Sequence, residues 1–152
     1  MTMARTLWTA SAPVAAPVEK VATLLLRVRP GEDGVWLLAP SPARVVPDGP
    51  GRFRVVAPGH TMSVEVGERS IAVQGGWWYR GEYEIADDGA GGTVLTHRVR
   101  DVARTMRWGV PLVLAQYRLS GGPGLVRTRN TVATLARRLE REVGGVVSGD
   151  GR

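Results

Sequence analysis

The stretch Ile71-Ala72-Val73-Gln74-Gly75-Gly76-Trp77-Trp78-Tyr79-Arg80-Gly81-Glu82-Tyr83-Glu84-Ile85 alternates. Ile71, Val73, Trp77, Tyr79, Tyr83 and Ile85 share one parity, and Arg80, Glu82 and Glu84 share the other. Successive side chains of a strand point to opposite faces, so one face is apolar and the other wet. Asp87-Asp88-Gly89 with Gly91-Gly92 is a turn signal. Thr93 to Ala103 then resumes the alternation, with Leu95 and Val99 opposite Thr96, Arg98 and Arg100. Across such a strand pair Glu82 and Glu84 can meet Arg98 and Arg100, contacts that fix register more than they add stability. Gly75-Gly76 lacks the lysine of a phosphate-binding loop and any following helix, and reads as a bulge bending one long strand.

Upstream, 52–57, 61–67 and 70–74 are β-branched runs separated by Pro58-Gly59 and Gly67-Glu68-Arg69, which predicts a meander. Residues 29–51, broken by prolines and glycines around the island Val35-Trp36-Leu37-Leu38, predict an irregular connection with a short turn of helix. Arg5 to Ala12 predicts a strand bounded by Pro13, and Pro17 to about Leu26 a short helix with Val18, Val21, Ala22 and Leu25 inward. Downstream, 108–119 reads as a short helix or irregular lid, and Ser120-Gly121-Gly122-Pro123-Gly124 as a hinge. From Leu125 the period is helical: Leu125, Thr128, Val132, Leu135, Ala136, Leu139 and Val143 line one face of about five turns. Gly144-Gly145 is expected to end this helix, closing a single domain over 1–145, with 146–152 a disordered tail.

The totals fit one folded domain: 152 residues, 43% hydrophobic and 22% charged. There is no cysteine, which excludes disulfides and thiolate chemistry. No apolar run reaches signal-peptide or membrane-span length, so a cytoplasmic location without membrane insertion is expected. The net charge of +6 invites a nucleic-acid reading. Lys20 is the only lysine, however, so the basicity reflects an arginine-favouring, GC-rich composition. The dense cluster Arg127, Arg129, Arg137, Arg138 and Arg141 shares its helix with Glu140 and Glu142, as a solvated face does.

Ala12-Pro13-Val14 through Pro17-Val18-Glu19-Lys20-Val21, then Gly91-Gly92-Thr93-Val94, then Leu125 to Val143, resemble the opening strand and proline-started helix, the glycine hairpin and the closing helix of the SRPBCC or START-like superfamily. That superfamily includes polyketide cyclases and dehydratases and lipid-transfer domains. The resemblance implies an α+β helix-grip fold, a curved antiparallel sheet wrapped around a long C-terminal helix, enclosing a cavity for a hydrophobic small molecule. The family's second helix has no counterpart in the proline-broken stretch around Trp36. The superfamily shares no catalytic set, so the resemblance carries no reaction.

In such a fold the inward parity makes Trp77, Tyr79, Tyr83, Leu95, His97 and Val99 the cavity lining, an apolar wall with three polar tips that a ligand, backbone or trapped water can satisfy. Asp101 lies four residues beyond His97, about 13 Å along a strand, so no dyad follows. His60 belongs to an exposed turn, and two histidines without suitable carboxylate spacing make a metal site unexpected. No cofactor is expected. Trp8 and Trp36 can line a pocket or fill the core. Trp78 falls on the outer parity, where it marks a homodimer surface or is covered by the curl of the sheet. Binding of a lipid, polyketide or aromatic metabolite is the first expectation. A cyclase- or dehydratase-like enzyme using Tyr79, Tyr83, His97 or an arginine is the alternative, with catalytic residues unassigned, and nucleic-acid binding is a distant third.

Overall fold

The computed structural model describes residues 5–32, 34–38, 43–75, 78–103, 109–112, 114–115 and 124–148. Among these, eight strands form one antiparallel sheet: β1 (Arg5–Val14), β2 (Gly31–Glu32), β3 (Arg44–Pro47), β4 (Arg52–Ala57), β5 (His60–Val66), β6 (Ser70–Gly75), β7 (Tyr79–Asp87) and β8 (Thr93–Asp101). Their order is β1-β8-β7-β6-β5-β4-β3-β2, so a meander is closed by β1 crossing to its far edge. Helix α1 (Val18–Leu25) follows β1, and the long helix α2 (Gly124–Ser148) packs chiefly on β1, with further contacts to β8 and α1. This is the α+β helix-grip arrangement expected from the sequence. No helix among the described residues is long and apolar enough to cross a membrane.

The alternating stretch is two strands rather than one. Gly75 pairs with Tyr79 and Ile71 with Tyr83, so the chain reverses where a bulge was expected. Three residues separate the closing pair, so odd-numbered positions face odd-numbered ones across the hairpin. The inward parity therefore survives a complete reversal of direction. Gly76 and Trp77 lie outside the described residues. Trp78 sits in the turn, 8% exposed, against Val99, Ala103 and Val110. The outward position that would have made it a dimer surface is thus not the one it occupies.

Across β7 and β8, Tyr83 pairs with His97, Ile85 with Leu95 and Gly81 with Val99. On the outer face Glu82 accepts from Arg100 at 3.0 Å and from Arg80 at 3.2 Å, while Glu84 accepts from Arg98 at 2.7 Å. Arg80 also reaches Glu65 at 3.0 Å, which carries the charge ladder to β5. Burial opposes ionisation of Glu82, but hydrogen bonds from Arg100 and Arg80 outweigh it and hold the carboxyl below its ordinary range.

On the inner face the α2 stripe of Thr128, Val132, Leu135, Ala136, Leu139 and Val143 is buried, as the helical spacing predicts. Val132 through Val143 meet Val14, Val21, Leu25, Ile71, Ile85 and Leu95 in one core. The helix continues to Ser148, past Gly144-Gly145 where the sequence puts its end; a glycine costs about 1 kcal/mol in a helix without forbidding one. Residues 149–152 of the expected tail, like 120–123 of the expected hinge, lie outside the described residues. β1 runs through Pro13, which an edge strand tolerates because only one of its sides pairs.

The expected irregular segment holds β2, β3 and a 3₁₀ turn at Trp36–Leu38. Trp36 is buried and tied to α2 three ways. Its Nε1 donates to Glu142, its carbonyl accepts from Arg138 at 2.9 Å, and the Arg138 guanidinium lies 3.9 Å above its ring. The arginine cluster is therefore divided: Arg129, Arg137 and Arg141 are exposed, while Arg138 is part of a clamp.

Because Leu139 is fully buried beneath the sheet, Leu139→Ala is expected to lower stability by about 2–5 kcal/mol. Urea unfolding should show a lower midpoint at unchanged slope. A cost below about 1 kcal/mol would show that the helix does not close the core.

Candidate functional site

Between the inner face of the sheet and α2 lie two clefts, both open to the surface. The first, about 270 Å³, is walled by Trp8 of β1, Trp78, Tyr79 of β7, and His97 and Val99 of β8, with Arg127, Thr128 and Thr131 on the helix side. The second, about 410 Å³, lies further along α2 between Leu37, Tyr83, Thr134, Leu135 and Arg138. Thr131 borders both.

The partition between them comes from the β7–β8 register. Tyr83 and His97 are direct cross-strand partners, and their rings stack with centroids 4.2 Å apart and planes 9° from parallel. His97 faces the first cleft and Tyr83 the second. The His97 Nδ1 lies 3.1 Å from the Glu82 carbonyl oxygen. A carbonyl can only accept, so Nδ1 carries the proton and Nε2 is left as an acceptor. His97 is 2% exposed, and this burial pushes its pKa below the ordinary 6.5 despite the opposing effect of the Glu82 carbonyl. The imidazole is neutral at physiological pH. Burial raises the Tyr83 phenol well above its ordinary range, with a smaller push from Tyr79, so its hydroxyl keeps its proton. Among the described residues that hydroxyl has no hydrogen-bond partner, although Tyr83 is only 8% exposed.

Two glycines shape the first cleft. Tyr79 folds its ring back over its own strand, edge-on to Trp78, with its hydroxyl above Gly81. A Cβ at Gly81 would come within 2.6 Å of that oxygen. At the start of α2 a Cβ on Gly124 would fall 2.1 Å from the Trp8 ring, so bare backbone is what lets the indole lie against the helix end.

Of the residues the inward parity selects, Tyr79, His97 and Val99 meet in the first cleft and Tyr83 lines the second. Leu95 is fully buried in the main core and lines neither cleft, and Trp77 lies outside the described residues. The helix side of the site escaped the sequence reading. Arg127 and Arg138 read as part of a solvated face and Thr131 and Thr134 carry no signal of their own; only their place on the flank of the apolar stripe, beside Thr128, could have marked them. Asp101 accepts from the Ala103 amide at 2.9 Å, and His60 is exposed, so neither joins the site.

No family model and no curated protein matches the chain. Among solved structures, the solution structure of a polyketide-cyclase-like protein from Corynebacterium glutamicum is similar at TM-score 0.57 and 18% identity, over 94% of this chain and 96% of that one. The crystal structure of a Mycobacterium smegmatis protein is similar at TM-score 0.50 and 18% identity, over 95% and 98% of the two chains. A START superfamily protein of Mycobacterium smegmatis gives TM-score 0.48 at 20% identity, over 91% and 97%. The likeness to the polyketide-cyclase-like structure shows the fold: the chain has the helix-grip arrangement that its sequence leads one to expect.

The depressed pKa of His97 makes stability depend on pH in a definite sense. Below 6.5 an unfolded chain protonates this residue while the folded chain keeps it neutral, so the unfolded state binds more protons. The contribution is complete above 6.5 and declines as pH falls toward the folded pKa. Thermal melts between about pH 7.5 and about pH 5 should show a steeper loss for the wild type than for His97→Phe, which keeps a ring against Tyr83. Parallel losses would show that His97 is not held neutral by burial.

Proposed function

We propose that the chain binds an apolar or aromatic small molecule between the sheet and α2. The observation that carries this reading is the pair of clefts on either side of the Tyr83–His97 stack, in a position where a solid core would place interdigitated side chains. A cavity of about 150 Å³ lined by apolar side chains already admits benzene, and the first cleft, at about 270 Å³, suits a molecule of one or two fused rings. Trp8, Trp78, Tyr79 and Val99 provide apolar surface, and the few polar atoms are placed singly, as in sites that orient a ligand. The polyketide-cyclase-like neighbour directs the choice of probes toward polycyclic aromatics.

Carriage is favoured over catalysis. General acid–base chemistry needs a second group within hydrogen-bond reach. Here the His97 bond goes to a backbone carbonyl, and the nearest carboxylate in sequence, Asp101, is engaged by the Ala103 amide. The Nε2 acceptor does favour a second reading, in which a cyclase- or dehydratase-like reaction begins with proton transfer to His97. Under that reading a bound substrate is converted on standing, whereas a carrier returns it unchanged.

The uncharged fluorescent probe N-phenyl-α-naphthylamine is expected to bind saturably and to raise the melting temperature with concentration, as any ligand of the native state does. Thr131→Trp places a bulky side chain at an exposed helix position that borders both clefts, so the core is untouched. That variant should keep its circular dichroism and lose at least about tenfold in affinity, or about 1.4 kcal/mol. Absence of saturable binding, or undiminished binding to Thr131→Trp, would contradict the proposal.

A further inference from the structure

We infer that the first cleft selects ligands carrying a hydrogen-bond donor, a phenolic or enolic hydroxyl on an aromatic frame, and that His97 Nε2 is the atom that reads it. This inference rests on the ligand-binding reading above and specifies its ligand class. Three observations meet at one residue. His97 lines the first cleft yet is 2% exposed, so a ligand seated there meets a ring almost stripped of water. Its Nδ1 is committed to the Glu82 carbonyl, which fixes the tautomer from outside the cleft and leaves only a lone pair to offer. Its plane is held by the stack on Tyr83, itself 8% exposed, and a flip within that plane would give up the bond from Nδ1 to the Glu82 carbonyl.

Among the other polar groups of this wall, the indoles of Trp8 and Trp78 and the guanidinium of Arg127 can only donate, the Thr128 hydroxyl donates to the Gly124 carbonyl at 2.8 Å, and the Tyr79 and Thr131 hydroxyls can turn either to donate or to accept. A ring nitrogen fixed as an acceptor on such a wall discriminates sharply. A ligand without a donor leaves the nitrogen dry and unpaired, whereas one with a hydroxyl at the right edge restores the bond that water made. Discrimination is strongest when a site built for a hydrogen bond meets an analogue that lacks it.

The test uses three uncharged probes on one frame: naphthalene, β-naphthol and β-naphthyl methyl ether, titrated calorimetrically into the full chain at neutral pH. β-Naphthol is expected to bind about tenfold more tightly than both others, since the ether keeps the oxygen and only loses the donor. In His97→Phe the three affinities should converge to within about twofold, through loss of the β-naphthol advantage. Should that variant fail to fold, the wild-type ranking still decides donor selection, and a shift of the His97 Nε2 resonance on adding β-naphthol but not the ether decides the assignment, no shift with β-naphthol overturning it. If naphthalene, the ether and the naphthol bind alike, donor selection is wrong while ligand binding stands. If the naphthol preference persists in His97→Phe, another group reads the hydroxyl and the assignment to His97 falls. If none of the three binds, both this inference and the ligand-binding reading fail.

Discussion

The stack of Tyr83 on His97 depends on the β7–β8 register, and the inner surface of the molecule is organised around it. Shifting that register by one residue would exchange the buried aromatic row for the Glu82–Arg100 charge ladder. The ladder and the stack are therefore two faces of one constraint. Outside, Arg98 and Arg100 engage carboxylates of the neighbouring strand; inside, the imidazole lies flat on the phenol ring, with its Nδ1 bonded to the backbone of the very residue, Glu82, that anchors the outer pairs. The two planar rings occupy the inner surface without filling the depth up to the helix, and a cleft remains on each side of them.

Helix α2 reconciles a packed core with an open site through the division of its own surface. Val132, Leu135, Ala136, Leu139 and Val143 close the main core over β1 and α1, while the flank carrying Thr131 and Thr134 borders open space. Trp36 bears on that same flank, through Glu142 and Arg138. That clamp ties the proline-rich segment to the site. Glu140 extends the pattern, accepting from the Ala15 amide at 2.9 Å beyond the end of β1. These attachments to α1, β1 and the 3₁₀ turn hold the roof of the clefts at a fixed height.

Much of the fold was legible in the sequence because its strongest signals are local and periodic. The inward parity of Tyr79, Tyr83, Leu95, His97 and Val99 could be read without knowing that the chain reverses at Gly75, since a three-residue connection preserves odd–odd pairing. Trp78 defied the same rule because a turn residue has no strand parity to obey. β2 and β3 were hidden by their shortness, two and four residues beside prolines, and they exist through pairing to β4 and to each other rather than through propensity. The end of α2 was placed too early because glycine weakens a helix without stopping it. For the site, the sheet wall was legible and the helix wall was not. Threonine and arginine on a helix flank look the same whether they face water or a cleft, and nothing in a one-dimensional pattern announced that Gly124 must admit Trp8 or that Gly81 must admit the Tyr79 hydroxyl.

The central claim, that the space beside the Tyr83–His97 stack is where a ligand sits, is most directly tested by nuclear Overhauser contacts in the complex with a naphthalene-based probe. Seating in the first cleft predicts contacts from probe protons to the His97 imidazole, the Val99 methyls and the Thr131 methyl, with the Tyr83 ring still stacked on His97. Contacts confined to exposed side chains such as Leu112 and Val126, with the His97 and Thr131 resonances unmoved, would contradict it and place binding on the outer surface.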